Sequence, residues 1–159
     1  MVKMVVDFKV KVAPSYKVAY IIHIGPYTGP NIWREEFTEL IKWARKKRLR
    51  TGNWIMGFLG DLGAYTTSKS RSIAALKIKG NAKPEGRIRI RTLPRRKVVS
   101  VTFNPDIIAD RLVYHGIEGW LPYRPFKEAG PAREVYNGSP WTDRKAWSKA
   151  EVQVPIKKR

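Results

Sequence analysis

Apolar and polar residues alternate over residues 2–12, where Val2, Met4, Val6, Phe8, Val10 and Val12 are interleaved with Lys3, Asp7, Lys9 and Lys11. Successive strand side chains point to opposite faces, so a period of two predicts a strand with one buried face. Pro14-Ser15 breaks the pattern. Residues 16–24, YKVAYIIHI, predict a second strand that Gly25-Pro26 closes. The period then changes: Trp33, Phe37, Leu40, Ile41 and Ala44 recur at three- and four-residue steps, which gathers them on one stripe of a helix. Pro30 suits the first turn, Glu35, Glu36 and Glu39 stand toward the start, and Lys42, Arg45, Lys46, Lys47 and Arg48 fill the end, the order that the helix dipole favours. Trp33 is expected in the core. Trp43 falls off the stripe and reads as a surface or interface aromatic.

Residues 53–59 and 73–78 predict short strands, separated by a polar loop over 61–72 and followed by the turn-forming GNAKPEG. Arg87, Arg89 and Arg91 alternate with Ile88 and Ile90, which places three guanidinium groups on one strand face, most simply the solvent face. Residues 98–103 form a further strand. Asn104-Pro105-Asp106 can cap a second helix, whose apolar positions Ile107, Ile108, Leu112, Ile117, Trp120 and Leu121 fit the helical period only approximately because Gly116 and Gly119 interrupt it. Residues 132–136 and 151–156 are closing strands, joined by a long loop holding Trp141 and Trp147. Strand, helix, strand, strand therefore occurs twice, with one extra strand ahead of each half. The expectation is an α+β fold of duplicated β-α-β-β halves, about 1–82 and 83–159, forming antiparallel sheets with two main helices.

Composition narrows the chemistry. The chain has 159 residues and no cysteine, which excludes a disulfide framework, a thiol nucleophile and a Cys-built zinc site. No apolar run approaches the ~18 residues of a membrane span. The alternating N-terminus is not a signal peptide, so a cytoplasmic protein without a membrane partner is expected. His23 and His115 are the two histidines, and no third ligand is spaced to complete a metal site; no metal and no cofactor are expected, and His23 reads as a hydrogen-bonded structural residue. No phosphate loop, nucleophile elbow or dinucleotide fingerprint occurs. Thirty-two Lys and Arg against thirteen acids leave a net charge of +19, which attracts polyanions, nucleic acid first among them. Arg87, Arg89, Arg91, Lys46 and Lys47 are the candidates for such contacts, together with the terminal Lys157-Lys158-Arg159. A solvated basic surface accounts for the same charge.

His23-Ile24-Gly25-Pro26-Tyr27 ahead of a helix with Trp33, Leu40, Ile41, Trp43 and Ala44 resembles the first half of GyrI-like effector-binding domains, the AraC-type small-molecule-binding family. Arg133-Glu134-Val135-Tyr136-Asn137-Gly138-Ser139-Pro140, with a last strand ending Val154-Pro155-Ile156, is similar to that family's closing motif, and Leu93-Pro94 fits the step between halves. The resemblance spans about residues 16–156. It implies a single effector-binding domain whose two pseudo-repeats enclose a central, aromatic-lined cleft. Members sense ligands within AraC- and MerR-type multidrug regulators, act as a free-standing gyrase inhibitor, or hydrolyse cyclopropane-bearing genotoxins. Glu134 matches the pocket acid that holds cationic ligands in some members and is catalytic in the hydrolases. Two departures stand beside the match: no helix-turn-helix module is found, so a fused transcription factor is not expected, and Phe103-Asn104-Pro105-Asp106 stands where a second His-x-Gly-Pro-Tyr element often occurs.

The residues themselves give Glu134 a physical reading. On a strand, Ala132, Glu134 and Tyr136 share a face. Turned inward, the carboxyl is costly unless partnered and its pKa rises; turned outward, it pairs with Arg133 or a lysine. The expected role is a polar anchor for a small, planar or aromatic ligand in a stand-alone binding or drug-sequestering protein, with Tyr27, Trp54, Phe103, Tyr114, Trp120 and Tyr136 as ligand-binding residues. Two alternatives accompany it. One is a hydrolase of strained or electrophilic rings, in which Glu134 activates water and Tyr136 or Tyr27 donates a proton. The other is non-specific nucleic-acid binding through the basic surface.

Overall fold

A computed structural model describes residues 7–26, 28–58 and 70–159. Its elements follow in chain order: β1 (Lys9–Ala13), β2 (Tyr16–Ile24), α1 (Arg34–Lys46), β3 (Arg50–Phe58), β4 (Arg71–Lys79), β5 (Arg89–Leu93), β6 (Arg96–Phe103), α2 (Asp110–Trp120), β7 (Phe126–Glu128), β8 (Arg133–Tyr136), α3 (Arg144–Ser148) and β9 (Ala150–Lys158). Single 3-10 turns, Pro30–Trp33 and Leu121–Tyr123, precede α1 and follow α2. The chain divides into two compact units, Ser15–Pro94 and Arg95–Arg159 with the N-terminal segment through Pro14. The fold is mostly β with helices, and its paired strands are antiparallel.

In the unit Ser15–Pro94 the strand order is β3-β4-β2-β5, with a bulge between Thr51 and Trp54. Helix α1 covers one face. Its Trp33 neighbour is fully buried and donates its indole N–H to Ser72 Oγ of β4 at 2.7 Å, and Phe37 stacks on Trp54 of β3 at 4.7 Å. Glu36, Phe37, Leu40, Trp43 and Ala44 form the buried stripe. Trp43 is thus core (5% exposed), not a surface aromatic. It lies seven residues beyond Glu36, and two helical turns return it to the same face, so the true stripe is rotated away from Ile41.

In the other unit β6 is flanked by β1 and β9, and β9 by β6 and β8, giving the order β1-β6-β9-β8, with β7 also on β9. Leaving aside β7 and α3, which only this unit has, both units run strand, helix, strand, strand, with the last strand lying between the other two. The outer strands change places relative to the chain. β1, ahead of the first half, pairs with β6, and β5, ahead of the second, pairs with β2. Pro14-Ser15 and Pro94-Arg95 are where the chain passes between units.

Four expectations need correction. β1 buries only Ala13, and Val10 and Val12 are exposed. An edge strand has one neighbour and is readily left uncovered. Arg87 stands in the turn before β5, not on it, and Arg71 and Ser72 belong to β4 instead of a loop. Residues 104–108 make a turn on the Asn104 carbonyl and side chain, so α2 begins at Asp110 and leaves Ile107 and Leu112 exposed. β7 and α3 were not expected. The expected strand residues 2–6 and most of the expected loop, 61–69, lie outside the described residues. No helix among the described residues is long and apolar enough to cross a membrane.

Candidate functional site

Strand β8 is short because Pro131 precedes it and the Asn137-Gly138 turn ends it; Gly138 has φ +139°, and a Cβ there would stand 3.2 Å from Asp143 Oδ2. Its alternation sends Arg133 and Glu134 to opposite faces. Arg133 does not reach Glu134; it donates from Nε to Gln153 Oε1 of β9 at 2.8 Å. The surface pair expected for an outward Glu134 is therefore not formed.

Glu134 is buried, 2% exposed, in register with Val152 of β9, which is itself in register with Val101 of β6. Its oxygens take one phenol each. Tyr114 of α2 donates to Oε1 at 3.0 Å, and Tyr136, two residues along β8 on the same face, donates to Oε2 at 3.0 Å. Among the described residues no cation pairs with this carboxylate. Burial raises its pKa first, the negative charge of Asp110 at the start of α2 adds to the rise, and the two phenols offset part of it; the carboxyl is pushed up to about 7. It is an acid poised to change charge near neutral pH, ionised to face a cation or protonated to donate to a neutral acceptor.

An aromatic wall continues from it. The Tyr136 ring lies parallel to that of Trp147, with centroids 6.3 Å apart, and the Trp147 indole donates to Asp106 Oδ1 at 2.9 Å. Trp147 sits on α3, which forms because Asp143 accepts the N–H groups of Lys145 and Ala146 as an N-cap. The sequence pattern places Trp147 in a loop. The Asp143 cap followed by a short helix-forming run was the available signal, and five residues are too few for periodicity to register.

The other expected site residues are spread over both units. Phe103 is buried on the Glu134 face of its sheet, at the end of β6 opposite Ala150. Trp120 is not brought to the carboxylate; it stacks on Phe8 at 5.6 Å with Arg124 against its ring at 4.6 Å, and Gly116 leaves room for Phe8. Trp54 lies in the unit Ser15–Pro94 on Phe37. Tyr27 lies outside the described residues. His23 Nδ1 meets Glu36 Oε1 at 2.5 Å, while Glu36 Oε2 is buried and takes no hydrogen bond. Among the described residues no His, Asp and Glu cluster could hold a metal ion.

A second polar group occupies the opposite face of the Glu134 sheet. Glu151 Oε2 accepts from Lys11 at 2.6 Å, Ser100 at 2.6 Å and Gln153 at 3.0 Å. Burial alone would raise the Glu151 carboxyl, and these three donors outweigh it and hold the pKa low. Two acids in one sheet are thus driven in opposite directions by the presence or absence of a cation.

The GyrI-like small molecule binding domain matches residues 7–157. No protein with a curated description matches the chain. Among solved structures, the crystal structure of the EcmrR C-terminal domain superposes with a TM-score of 0.76 at 17% identity, covering 98% of this chain and 100% of that one. EcmrR in its DNA complex gives 0.73 at 17% identity over 97% of this chain, which spans only 58% of that longer protein. SAV2435, bound to tetraphenylphosphonium, gives 0.53 at 13% identity, covering 95% of this chain and 94% of that one. The chain belongs to the GyrI-like small-molecule-binding family.

Proposed function

We propose that this member of the GyrI-like family binds a planar or aromatic organic ligand with Glu134 as the polar anchor. The reading is carried by one observation: a buried carboxyl whose oxygens rest on two phenols, with no counter-ion among the described residues. Burying an acid without a counter-ion is unfavourable, so a cationic ligand that pairs with it recovers part of that cost on binding. The parallel Tyr136 and Trp147 rings supply faces suited to stacking. The tetraphenylphosphonium bound to SAV2435 is an aromatic cation of the kind an ionised Glu134 would attract.

Titration of Trp fluorescence with a planar cationic dye tests the role. Wild type is expected to quench saturably, and Glu134→Gln to bind at least tenfold more weakly. Equal affinity in the two proteins would remove Glu134 as the anchor.

A hydrolytic reading draws on the pKa of about 7, which suits a general base for water with Tyr136 as proton donor. It requires turnover of a cyclopropane-bearing alkylator that Glu134→Gln abolishes; binding without turnover selects the receptor.

A further inference from the structure

The four strands of the unit Ser15–Pro94 contain no aspartate or glutamate. The described acids of this unit stand elsewhere, Glu35, Glu36 and Glu39 on α1 and Glu85 in the turn before β5. Helix α1 lies over the face that carries His23, Trp54 and Ser72. The register sends a different set to the opposite face: Arg89 and Arg91 from β5, Tyr16, Val18 and Tyr20 from β2, Lys77 and Lys79 from β4, and Arg50 from β3. All five of these cations are exposed.

Their neighbours separate them from the rest of the basic surface. Arg87 is bound to Glu39 at 2.6 Å, and Lys46 and Lys47 both reach Glu85. Arg50, Lys77, Lys79, Arg89 and Arg91 have no ion pair among the described residues. Instead, Lys77 lies against the Tyr16 ring at 5.7 Å and Arg91 against the Tyr20 ring at 5.9 Å, contacts that hold the cations on the sheet without neutralising them.

We propose that this sheet face is a binding surface for single-stranded nucleic acid. Residues two apart on a strand are separated by ~7 Å and the lanes on β5 and β4 by ~10 Å, so a single strand that gives each of the five cations one phosphate is about five nucleotides long. Val18, Ile55 and Ala75 of this face are buried, and its exposed part offers guanidinium planes beside the half-buried Tyr20, groups that suit bases and their phosphates. It presents no helix or ribbon for a duplex groove.

The test is fluorescence anisotropy of a labelled fifteen-nucleotide oligo-dT across a salt series, beside a duplex of the same length. At ~0.7 per phosphate on a single strand, contacts from all five cations give a log–log salt slope of magnitude ~3.5, and R89S/R91S lowers it by more than 1. K77S/K79S does the same, which keeps the result readable if either variant folds poorly. K46S/K47S, whose lysines already have an acid partner, leaves the slope within ~0.5 of wild type. A slope unchanged by both sheet variants, binding to duplex as tight as to oligo-dT, or binding to phosphatidylserine vesicles without binding to oligo-dT would each overturn the proposal.

Discussion

In the unit Ser15–Pro94 the buried acid sits on the helix and reaches the sheet, where Glu36 of α1 meets His23 of β2. In the other unit the acid sits on the sheet and the helix reaches it, where Tyr114 of α2 meets Glu134 of β8. Strand order is the same in both. The difference lies in the partner each acid has found: an imidazole nitrogen for Glu36, two phenol hydroxyls for Glu134. Burial with hydroxyls as the only partners pushes the Glu134 carboxyl toward protonation. The shared framework therefore carries a carboxylate–imidazole pair with one buried carboxylate oxygen left without a hydrogen bond in one unit, and a carboxyl held by two phenols without a counter-ion in the other. The sheets differ in the same sense, since β2–β5 carry no acid while β7, β8 and β9 carry Glu128, Glu134 and Glu151.

The comparison breaks most sharply at Trp33. Trp33→Ala leaves a large cavity under α1 and strands the Ser72 hydroxyl, at a cost of about 4 kcal/mol. Hydrogen exchange should show β2–β5 losing more protection than β6, β8 and β9; equal loss throughout would show that the units do not unfold separately.

Next is the pH dependence of stability. The folded-state pKa of Glu134 lies above its unfolded value, so its contribution is full below about 4.5, where both states are protonated, and is lost as pH rises through about 7. Glu134→Gln lacks that loss. Urea melts should show the variant gaining on wild type between pH 4.5 and pH 8 by up to about 3 kcal/mol, and a constant difference would contradict the raised pKa. His23→Ala, which leaves Glu36 without its partner, is expected to cost about 2 kcal/mol by the same melts and to leave the binding of a planar dye unchanged. The smallest effect belongs to Asp143→Ala. Loss of the α3 cap costs about 1 kcal/mol and should lower dye affinity by loosening Trp147 against Tyr136, with unaltered affinity detaching Trp147 from the site.

Much of this framework is legible in the sequence where periodicity is long. The run YKVAYIIHI became β2 over the same residues, and the Trp33–Ala44 stripe became α1 with its preceding 3-10 turn. The shared face of Glu134 and Tyr136 follows from alternation alone and is realised in a hydrogen bond. Other features have no local signature. β7 is three residues long and α3 five, shorter than the window in which a period emerges. The exchange of outer strands is a matter of pairing at a distance, and proline at positions 14 and 94 marks a break without saying which sheet the chain enters next. Tyr114 could be named as a wall residue but not as the donor to Glu134, because the rotation of a helix interrupted at Gly116 and Gly119 is set by its tertiary contacts, such as those with Glu134 and Phe8, and not by its own pattern.

Calorimetric titration of tetraphenylphosphonium into wild type and Glu134→Gln at pH 6 and pH 8 tests the anchor most directly. With a carboxyl titrating at about 7, wild type should bind the cation about tenfold tighter at pH 8 than at pH 6, and Glu134→Gln should bind weakly and equally at both. Matching affinities for the two proteins, or a wild-type affinity indifferent to pH, would contradict the account.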